Sequence, residues 1–478
     1  MSNDGTPTTS RPLKTRLYVM MFLQYFVQGS FLPVISKYLQ DYHGFGSNDL
    51  GTFGAAIAVG PLLAPFIVGQ LVDRHMATEK VLAISHVLGG GVMLALYYQP
   101  QGATLPIIVL GTVYSILYFP TLMLTNSLTF HHLADRDREF PLIRLWGTIG
   151  FVVPAWAVEL YFLKGLDGAQ LDQARGIILM FSAVSGLAMG VYSLFLPHTP
   201  PVRSDKKEFA PAKVIGLLTH RNFFLLVLVS LVVALAHKYY FVWHSPFVGA
   251  VLTLENIKGA FEQRVASIGQ IFEVVVMAFL GWSLKKHGFK LTMTVGTIAY
   301  VLRCLIFAVA IGVELPPHVP MTLVCLGTAL HGVCFGCFLA AAYIYVDHVA
   351  PIDVRGSMQT LYGTFVVGTG FFFGGLLSGW IGHAFSTLPE ATTVRQKMGI
   401  VSTVGMVEFE ELKEQEVPAE GDAPARVEKV KVTKVRDWPG MWLAGGGIAF
   451  VAMVLFVLLF PKQIPEDDKG AGDVEPSV

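Results

Sequence analysis

Three residues in the stretch FPLIRLWGTIGF could form a binding face for a polar ligand that contains a flat ring. Arg144, Thr148 and Phe151 are spaced at i, i+4 and i+7, so they share one side of a helix. The arginine supplies a planar cationic donor, the threonine a hydroxyl, and the phenylalanine a ring for stacking. The alternative for Arg144, which lies close to the start of its helix, is a side chain that reaches back to solvent or braces an inner gate.

A second polar pair, Gln270 and Glu273, lies in the stretch SIGQIFE and again shares one helix face. The amide offers donors and acceptors that match the edge of a nucleobase. The carboxylate can accept hydrogen bonds from sugar hydroxyls or carry a proton, which makes Glu273 the candidate proton-carrying residue. A purely structural ion pair of Glu273 with Arg144 or Lys238 is the alternative.

Three more polar residues lie in apolar stretches and are candidate substrate contacts. Lys238 stands in LAHKYYFVWHSPF, Gln24 lies one helical turn before a second glutamine, and Asn126 interrupts an apolar run. A charge inside an apolar helix is costly, so Lys238 needs a functional or structural reason. For Gln24 and Asn126 the alternative is a hydrogen bond that joins two helices.

The remaining polar residues of the apolar stretches are interpreted as structural: Arg303, the histidines at 237, 244 and 331, and the pair Cys334 and Cys337. The cysteine pair lacks the context of a redox motif. The apolar stretches contain no repeated His/Asp spacing for a metal and no nucleophile with an evident base. The sequence therefore predicts neither an enzyme nor a metal site or cofactor.

Composition identifies the elements that must position these residues. Of 478 residues, 53% are hydrophobic and 14% are charged, and the formal net charge is zero; the mean hydropathy is +0.57. Such a chain is too apolar for a disordered protein, and it has no basic surplus for nucleic acid. Four cysteines exclude a disulfide scaffold, and the low charge excludes a soluble enzyme of this size. The class that remains is an all-α integral membrane protein.

A membrane helix needs about 20 mostly apolar residues, and the sequence contains twelve such stretches. They lie near 15–39, 50–73, 79–99, 104–131, 140–163, 174–196, 221–251, 265–285, 289–312, 319–347, 356–385 and 439–460. A polar central loop divides them six and six. The predicted units are an N-terminal six-helix bundle (1–198), a cytoplasmic linker (199–220) and a C-terminal six-helix bundle (221–478).

The distribution of basic residues predicts the orientation. Lysine and arginine concentrate in the segments that are inside when the N-terminus is cytoplasmic. We therefore expect a multi-pass protein of the cytoplasmic (inner) membrane, surrounded by lipid, with both termini cytoplasmic.

Residues 386–437 form a long, highly charged segment that this orientation places outside. VEKVKVTKV alternates apolar and polar residues, as a strand does, and the two flanks of PAEGDAP could form a hairpin. The segment is either a solvated insertion without a role in transport, or a lid or partner-binding element.

The two halves carry related turns, and these resemble the loop signature of the major facilitator superfamily. GQLVDRHMATEK follows the second stretch and GWSLKKHGFK follows the eighth. The resemblance implies that the glycine permits close packing and that the charges, Asp73 and Arg74 in the first turn, lock an inner gate. Met76 stands where the pattern prefers glycine. Secondary transporters are commonly built from such repeats.

Four stretches resemble the bacterial nucleoside:proton symporters, a branch of that superfamily: FLQYFVQGSF, LTNSLTFHHL, FPLIRLWGTIGF and SIGQIFE. The resemblance covers nearly the whole chain outside 386–437. It implies the twelve-helix major facilitator fold and proton-driven uptake of nucleosides by alternating access. It also implies that Arg144, Thr148 and Phe151 form one binding face, and that Gln270 and Glu273 form another.

The chain departs from the family in two of the apolar stretches, at three positions. Lys238 and Phe241 stand where the family has polar amides, and Gly336 stands where it has a carboxylate. Two interpretations follow: Lys238 neutralises Glu273 in an altered nucleoside site, or the substrate is another polar or even anionic metabolite. A non-transporting receptor or scaffold is the third alternative, although the inner loops are too short for a signalling domain.

Overall fold

The structure, a computed structural model, describes residues 8–71, 75–201, 221–349, 362–397, 404–417 and 426–461. The described residues divide into an N-terminal half, residues 8–201, and a C-terminal half, residues 221–461. The predicted gate residues Asp73 and Arg74 and nearly all of the predicted linker lie outside the described residues.

The described part of the N-terminal half is helical throughout. Its helices are α1 (Arg11–Phe31), α2 (Ile35–Asp41), α3 (Ser47–Leu71), α4 (Thr78–Tyr97), α5 (Thr104–His132), α6 (Arg136–Ala157), α7 (Gly168–Ala174) and α8 (Ile177–Ser193). Helix α6 continues as a π-helical segment, Val158–Phe162. The predicted first stretch is divided into α1 and α2 by a turn that contains Pro33, which has no backbone N–H to continue a helix.

The C-terminal half contains helices and one small sheet. Its helices are α9 (Arg221–Leu254), α10 (Glu262–Gly312), α11 (Val319–Cys334), α12 (Ala341–Val349), α13 (Phe371–Ala384), α14 (Pro389–Lys397) and α15 (Trp438–Leu459). Two π-helical segments, Phe335–Ala340 and Thr364–Gly370, lie between α11 and α12 and before α13.

Helix length and composition confirm the prediction of an all-α membrane protein. Among the described residues, ten helices are long and apolar enough to cross a membrane. One of them, α10, has 51 residues, enough for two crossings, and its backbone leaves the helical conformation at Gly288 (φ 74°, ψ 174°), a conformation that glycine adopts readily. The segment 364–384 supplies a further apolar helix. This arrangement agrees with twelve crossings, although the exact count stays a prediction.

The predicted hairpin is confirmed. Strand β2 (Met406–Val417) pairs antiparallel with β3 (Arg426–Asp437), and the two-residue β1 (Ser386–Thr387) pairs with the other edge of β3. The turn residues 418–425 lie outside the described part. The end of the molecule that carries β2 and β3 is called the hairpin end.

Close helix crossings at glycines position the candidate site. At Gly150, a Cβ atom would lie 2.2 Å from the carbonyl oxygen of Phe22, and at Gly29 one would lie 2.2 Å from that of Phe151, so α1 and α6 meet backbone to backbone. At Gly332, a Cβ atom would lie 2.5 Å from the backbone nitrogen of Glu273, so α10 and α11 meet in the same way. Small residues allow membrane helices to approach this closely.

Candidate functional site

The predicted face of α6 forms as the sequence spacing indicates. Arg144 and Thr148 are half-buried, and Phe151 is buried at the crossing with α1. The guanidinium of Arg144 lies 4.2 Å above the centre of the Tyr25 ring, a cation–π contact. No carboxylate among the described residues forms an ion pair with Arg144, so its polar N–H groups stay free for a ligand.

The second predicted pair lies in the first half of α10. Gln270 is half-buried and makes no hydrogen bond with the described residues. The side chain of Glu273 is 18% exposed, and its Oε2 atom lies 4.0 Å from Nε2 of His331. Glu273 therefore has an open side and one neighbouring imidazole, which is the arrangement a ligand-binding carboxylate needs.

The two predicted faces belong to the same interface. Helix α6 packs against α10, and Nε1 of Trp156 donates a 3.0 Å hydrogen bond to Oγ of Ser267, three residues before Gln270. The structure thus brings the helix that carries Arg144 and the helix that carries Glu273, one from each half of the chain, into contact.

Gln24 lies inside the N-terminal half, with both ends of its amide occupied. It is completely buried; Nε2 donates to Oγ1 of Thr121 at 2.8 Å, and Oε1 lies 2.9 Å from Nε2 of His86. The hydroxyl of Tyr118 donates to the backbone oxygen of Gln24 at 2.7 Å. These contacts favour the packing alternative for Gln24.

Asn126 differs from Gln24, because its Oδ1 atom is buried without a hydrogen-bond partner among the described residues. A buried amide oxygen without a partner is costly unless a ligand or a water molecule completes it. The structure therefore leaves Asn126 able to accept a hydrogen bond.

Lys238 is buried between helices α3 and α13. It is 8% exposed, and its side chain packs beside Gly54 on one helix and Gly374 on the other. Lys238 forms no ion pair with a described residue. The ion pair between Lys238 and Glu273 that one interpretation requires is therefore not formed in this structure. Lys238 and Glu273 therefore remain separate charges.

Gly336, at the second departure from the family pattern, lies in the packed contact between the π-helical segment after α11 and helix α10. A Cβ atom there would lie 2.7 Å from Cγ1 of Val276. A carboxylate at this position would require Val276 to move. The absence of a carboxylate at position 336 therefore agrees with the close packing of Gly336 against Val276.

A charged network at the hairpin end was not identified from the sequence. The guanidinium of Arg175, in the N-terminal half, bonds to Oε1 of Glu262 in the C-terminal half at 2.7 Å and to Oδ1 of Asp172 at 2.7 Å. The carboxylate of Glu159 accepts from the backbone nitrogen of Gln263 at 2.6 Å and from Nε of Arg264 at 2.8 Å. These bonds hold the two halves together at this end.

The hairpin is docked on the same end. The backbone nitrogen of Leu412 donates to the oxygen of Gly44 at 2.8 Å, and Nζ of Lys429 donates to the oxygen of Gly102 at 2.6 Å. Arg436 is 1% exposed, and its guanidinium lies over the ring of Phe409 at 3.8 Å. The hairpin belongs to the C-terminal half yet contacts the N-terminal half, so it bridges the two.

A cavity of about 260 Å³ opens between the hairpin and the two halves. Its lining includes Lys37, Gln40, Asp41, Gly249, Phe409 and Arg436. It includes none of the residues of the α6 and α10 faces. The predicted binding faces and this cavity are therefore different places in the molecule.

A family model described as "Nucleoside H+ symporter" matches residues 12–407. The chain belongs to the nucleoside H+ symporter family. The putative nucleoside transporter YegT of Escherichia coli (strain K12) is 28% identical over 452 residues, covering 94% of each chain. The xanthosine permease of the same organism is 28% identical, with 78% of this chain and 88% of that one covered.

Solved structures confirm the fold of this nucleoside H+ symporter family member. The crystal structure of the nucleoside transporter NupG matches with a TM-score of 0.73 at 20% identity, covering 94% of this chain and 99% of that one. The expected family and the major facilitator fold are therefore confirmed. The symporter is a multi-pass membrane transporter of nucleosides and protons, as expected, and not an enzyme.

Proposed function

We propose that this symporter binds its nucleoside between α6 and the first half of α10. The observation that carries the proposal is that Arg144 and Glu273 lie on α6 and α10, helices of opposite halves that pack against each other and are joined by the hydrogen bond from Trp156 to Ser267. Each has an open side: Arg144 contacts only a ring face, and Glu273 is 18% exposed. A site shared by two halves changes when the halves move, as alternating access requires.

The roles follow from the chemistry of each side chain. Phe151 stacks on the base, while Gln270 reads its edge with an amide that has no other partner among the described residues. Arg144 and Thr148 donate to polar groups of the nucleoside. Asn126, whose Oδ1 is buried without a partner, accepts one further hydrogen bond. Gln24, in contrast, joins α1 to α4 and α5 inside the N-terminal half.

Glu273 is proposed as the proton carrier. Coupling requires that protonation and nucleoside binding favour the same change between the two halves. A carboxylate on α10, which packs against α6 of the other half, meets this requirement, because movement of either half changes its surroundings. The sugar hydroxyls of the substrate reach the same carboxylate.

The experiment is uridine uptake into proteoliposomes with and without an imposed proton gradient. We expect uptake to increase with the gradient in the wild type, and Glu273→Gln to abolish the gradient-driven part while retaining exchange of uridine across the membrane. The control is Asp167→Asn, a surface carboxylate whose side chain is 69% exposed. Gradient-independent uptake by the wild type would refute symport, and full activity of Glu273→Gln would refute its role.

We also propose the location and orientation. The protein lies in the lipid bilayer of the cytoplasmic membrane with both termini cytoplasmic, which places the hairpin end outside. Asp73 and Arg74 lie outside the described residues; their proposed role in closing the inner gate rests on the resemblance to the superfamily's loop signature. Impermeant labelling of a cysteine introduced at Gln170, an exposed residue of the hairpin end, tests this: labelling only from the cytoplasmic side would contradict it.

A second candidate substrate is favoured by one observation, the buried Lys238 that has no ion pair among the described residues. An anionic or more strongly polar metabolite would supply the missing negative charge. A thermal-shift panel of nucleosides, free bases, sugars and nucleotides on the purified protein separates the candidates. Stabilisation by nucleosides alone supports the first, and stabilisation by nucleotides that is lost in Lys238→Met supports the second.

A further inference from the structure

We propose that His331 is the positioning residue of Glu273 and that Arg303 fixes its tautomer. This inference rests on the role proposed above for Glu273. His331 lies on α11 and is 2% exposed, with Nδ1 3.3 Å from a guanidinium nitrogen of Arg303 and Nε2 4.0 Å from Oε2 of Glu273. The imidazole therefore lies between a fixed cation and the candidate carboxylate.

The partners of the imidazole assign its proton. A guanidinium has only donors, so Nδ1 of His331 must present its lone pair to Arg303. The single ring proton is then on Nε2, the atom that faces Glu273. An imidazolium would place an N–H group against another N–H group, so this arrangement is specific for the neutral ring with an Nε2–H donor.

Packing prevents the ring from turning away. The ring of Tyr240 is stacked on that of His331 at 5.2 Å, and the ring of His237 lies 5.2 Å away. Arg303 is itself 1% exposed and lies 4.0 Å above the centre of the Tyr240 ring. The donor is therefore held in place by α9, α10 and α11 together.

The gap of 4.0 Å is too long for a hydrogen bond. In this conformation Glu273 faces the donor without being held by it. A movement of about 1 Å would create a charge-assisted hydrogen bond. His331 thus offers Glu273 a partner inside the C-terminal half, in competition with the nucleoside and with Arg144 of the other half.

The test compares two substitutions at His331. His331→Phe keeps a ring for stacking on Tyr240 but removes both nitrogens, whereas His331→Gln keeps an N–H donor at the position of Nε2. We expect the phenylalanine variant to lower gradient-driven uridine uptake roughly 30-fold, the effect of losing one hydrogen bond to a charged group. The glutamine variant should stay within about three-fold of the wild type. Equal losses in both variants would overturn the proposal.

A double-mutant cycle separates positioning from general packing. Uridine counterflow, which needs no gradient, is measured for His331→Phe in the wild-type and Glu273→Gln backgrounds. A residue that acts through Glu273 has an effect only in the first background. An equal effect in both would show that His331 acts on packing alone.

His244→Phe is the matched control. It is a second buried histidine of the same aromatic cluster, and its Nε2 lies 3.0 Å from Oγ1 of Thr328. Its effect on counterflow should be the same in both Glu273 backgrounds. If His331→Phe does not reach the membrane, His331→Met takes its place, because methionine has the length of glutamine and no N–H.

Failure of this proposal is distinguishable from failure of the proposed function. If wild-type uptake ignores the proton gradient, the symport role of Glu273 fails. The counterflow cycle still decides whether His331 acts through the Glu273 carboxylate.

Discussion

The bond between Arg175 and Glu262 should control how readily the two halves separate at the hairpin end. Both side chains are almost fully buried, with exposed fractions of 4% and 1%, and one carboxylate oxygen of Glu262 accepts from the guanidinium at 2.7 Å. The other oxygen accepts from the backbone nitrogen of Phe261 at 3.0 Å. Glu262→Gln keeps the shape of the side chain, but its amide has only one oxygen to accept from both the Arg175 guanidinium and the backbone nitrogen of Phe261.

The expected magnitude follows from those contacts. Losing one hydrogen bond to a charged group costs about 2 kcal/mol, and Arg175 retains Asp172 at 2.7 Å, so the larger penalty of an isolated buried charge does not apply. The bond joins the two halves and so is present only when this end is closed. A cost of about 2 kcal/mol should shift the closed–open equilibrium towards open by roughly 30-fold.

The assay is a distance measurement between spin labels at Gln170 and Leu254, exposed residues of the N-terminal and C-terminal halves at the hairpin end. The background lacks the four native cysteines. We expect a single short distance in the wild type and a substantial longer-distance population in Glu262→Gln.

Lys258→Gln is the control, because Lys258 forms an ion pair with Asp167 across the same two halves but on the surface, at 3.8 Å with exposed fractions of 85% and 69%. Exposed pairs contribute little to stability. A distance distribution in Glu262→Gln that matches that of the control would refute the reasoning.

Two further predictions concern stability. Gln24→Leu leaves Nε2 of His86 without its partner in a buried site, while Oγ1 of Thr121 keeps its bond to the backbone oxygen of Tyr118. The substitution should lower the free energy of unfolding by about 1–3 kcal/mol, measured as a reduced melting temperature that uridine does not selectively rescue. Burial lowers the pKa of His43 from 6.5 to about 4. The unfolded state therefore binds the extra proton first, and stability should fall by up to about 3 kcal/mol as the pH drops from 6.5 to 4; the melting temperature of His43→Gln should depend less on pH in that interval.

The sequence predicts features that depend on one element at a time. Arg144, Thr148 and Phe151 needed only helical spacing, and the hairpin strands needed only alternation. The contact of Arg175 with Glu262 joins residues 87 positions apart, and no local pattern encodes it. The one available signal was the presence of acidic residues, Glu159 and Glu262, next to the predicted ends of two membrane stretches.

The docking of the hairpin could not be predicted for a related reason. Alternation specifies strands but not the surface that they cover. Arg436 reads as one more charge in a charged segment, yet it is buried and donates to Oε1 of Gln40 at 2.6 Å and to Oγ of Ser47 at 3.2 Å. Burial lowers the pKa of Arg436 to about 9. Both hydrogen-bond partners of Arg436 lie on the N-terminal half. The segment is therefore docked on that half, which does not favour its interpretation as a solvated insertion.

The three cations of the membrane interior that the sequence made conspicuous have different surroundings. Arg303 has an imidazole and two tyrosine rings as neighbours, which agrees with its structural interpretation. Arg144, on the helix that packs against α10, rests on the ring of Tyr25. Lys238 has no ion pair among the described residues. A buried cation without an anion is costly. Lys238 must therefore gain an anion from the substrate or in another conformation, or lose its proton. Substrate selectivity should therefore respond more to Lys238→Met than to Arg303→Lys.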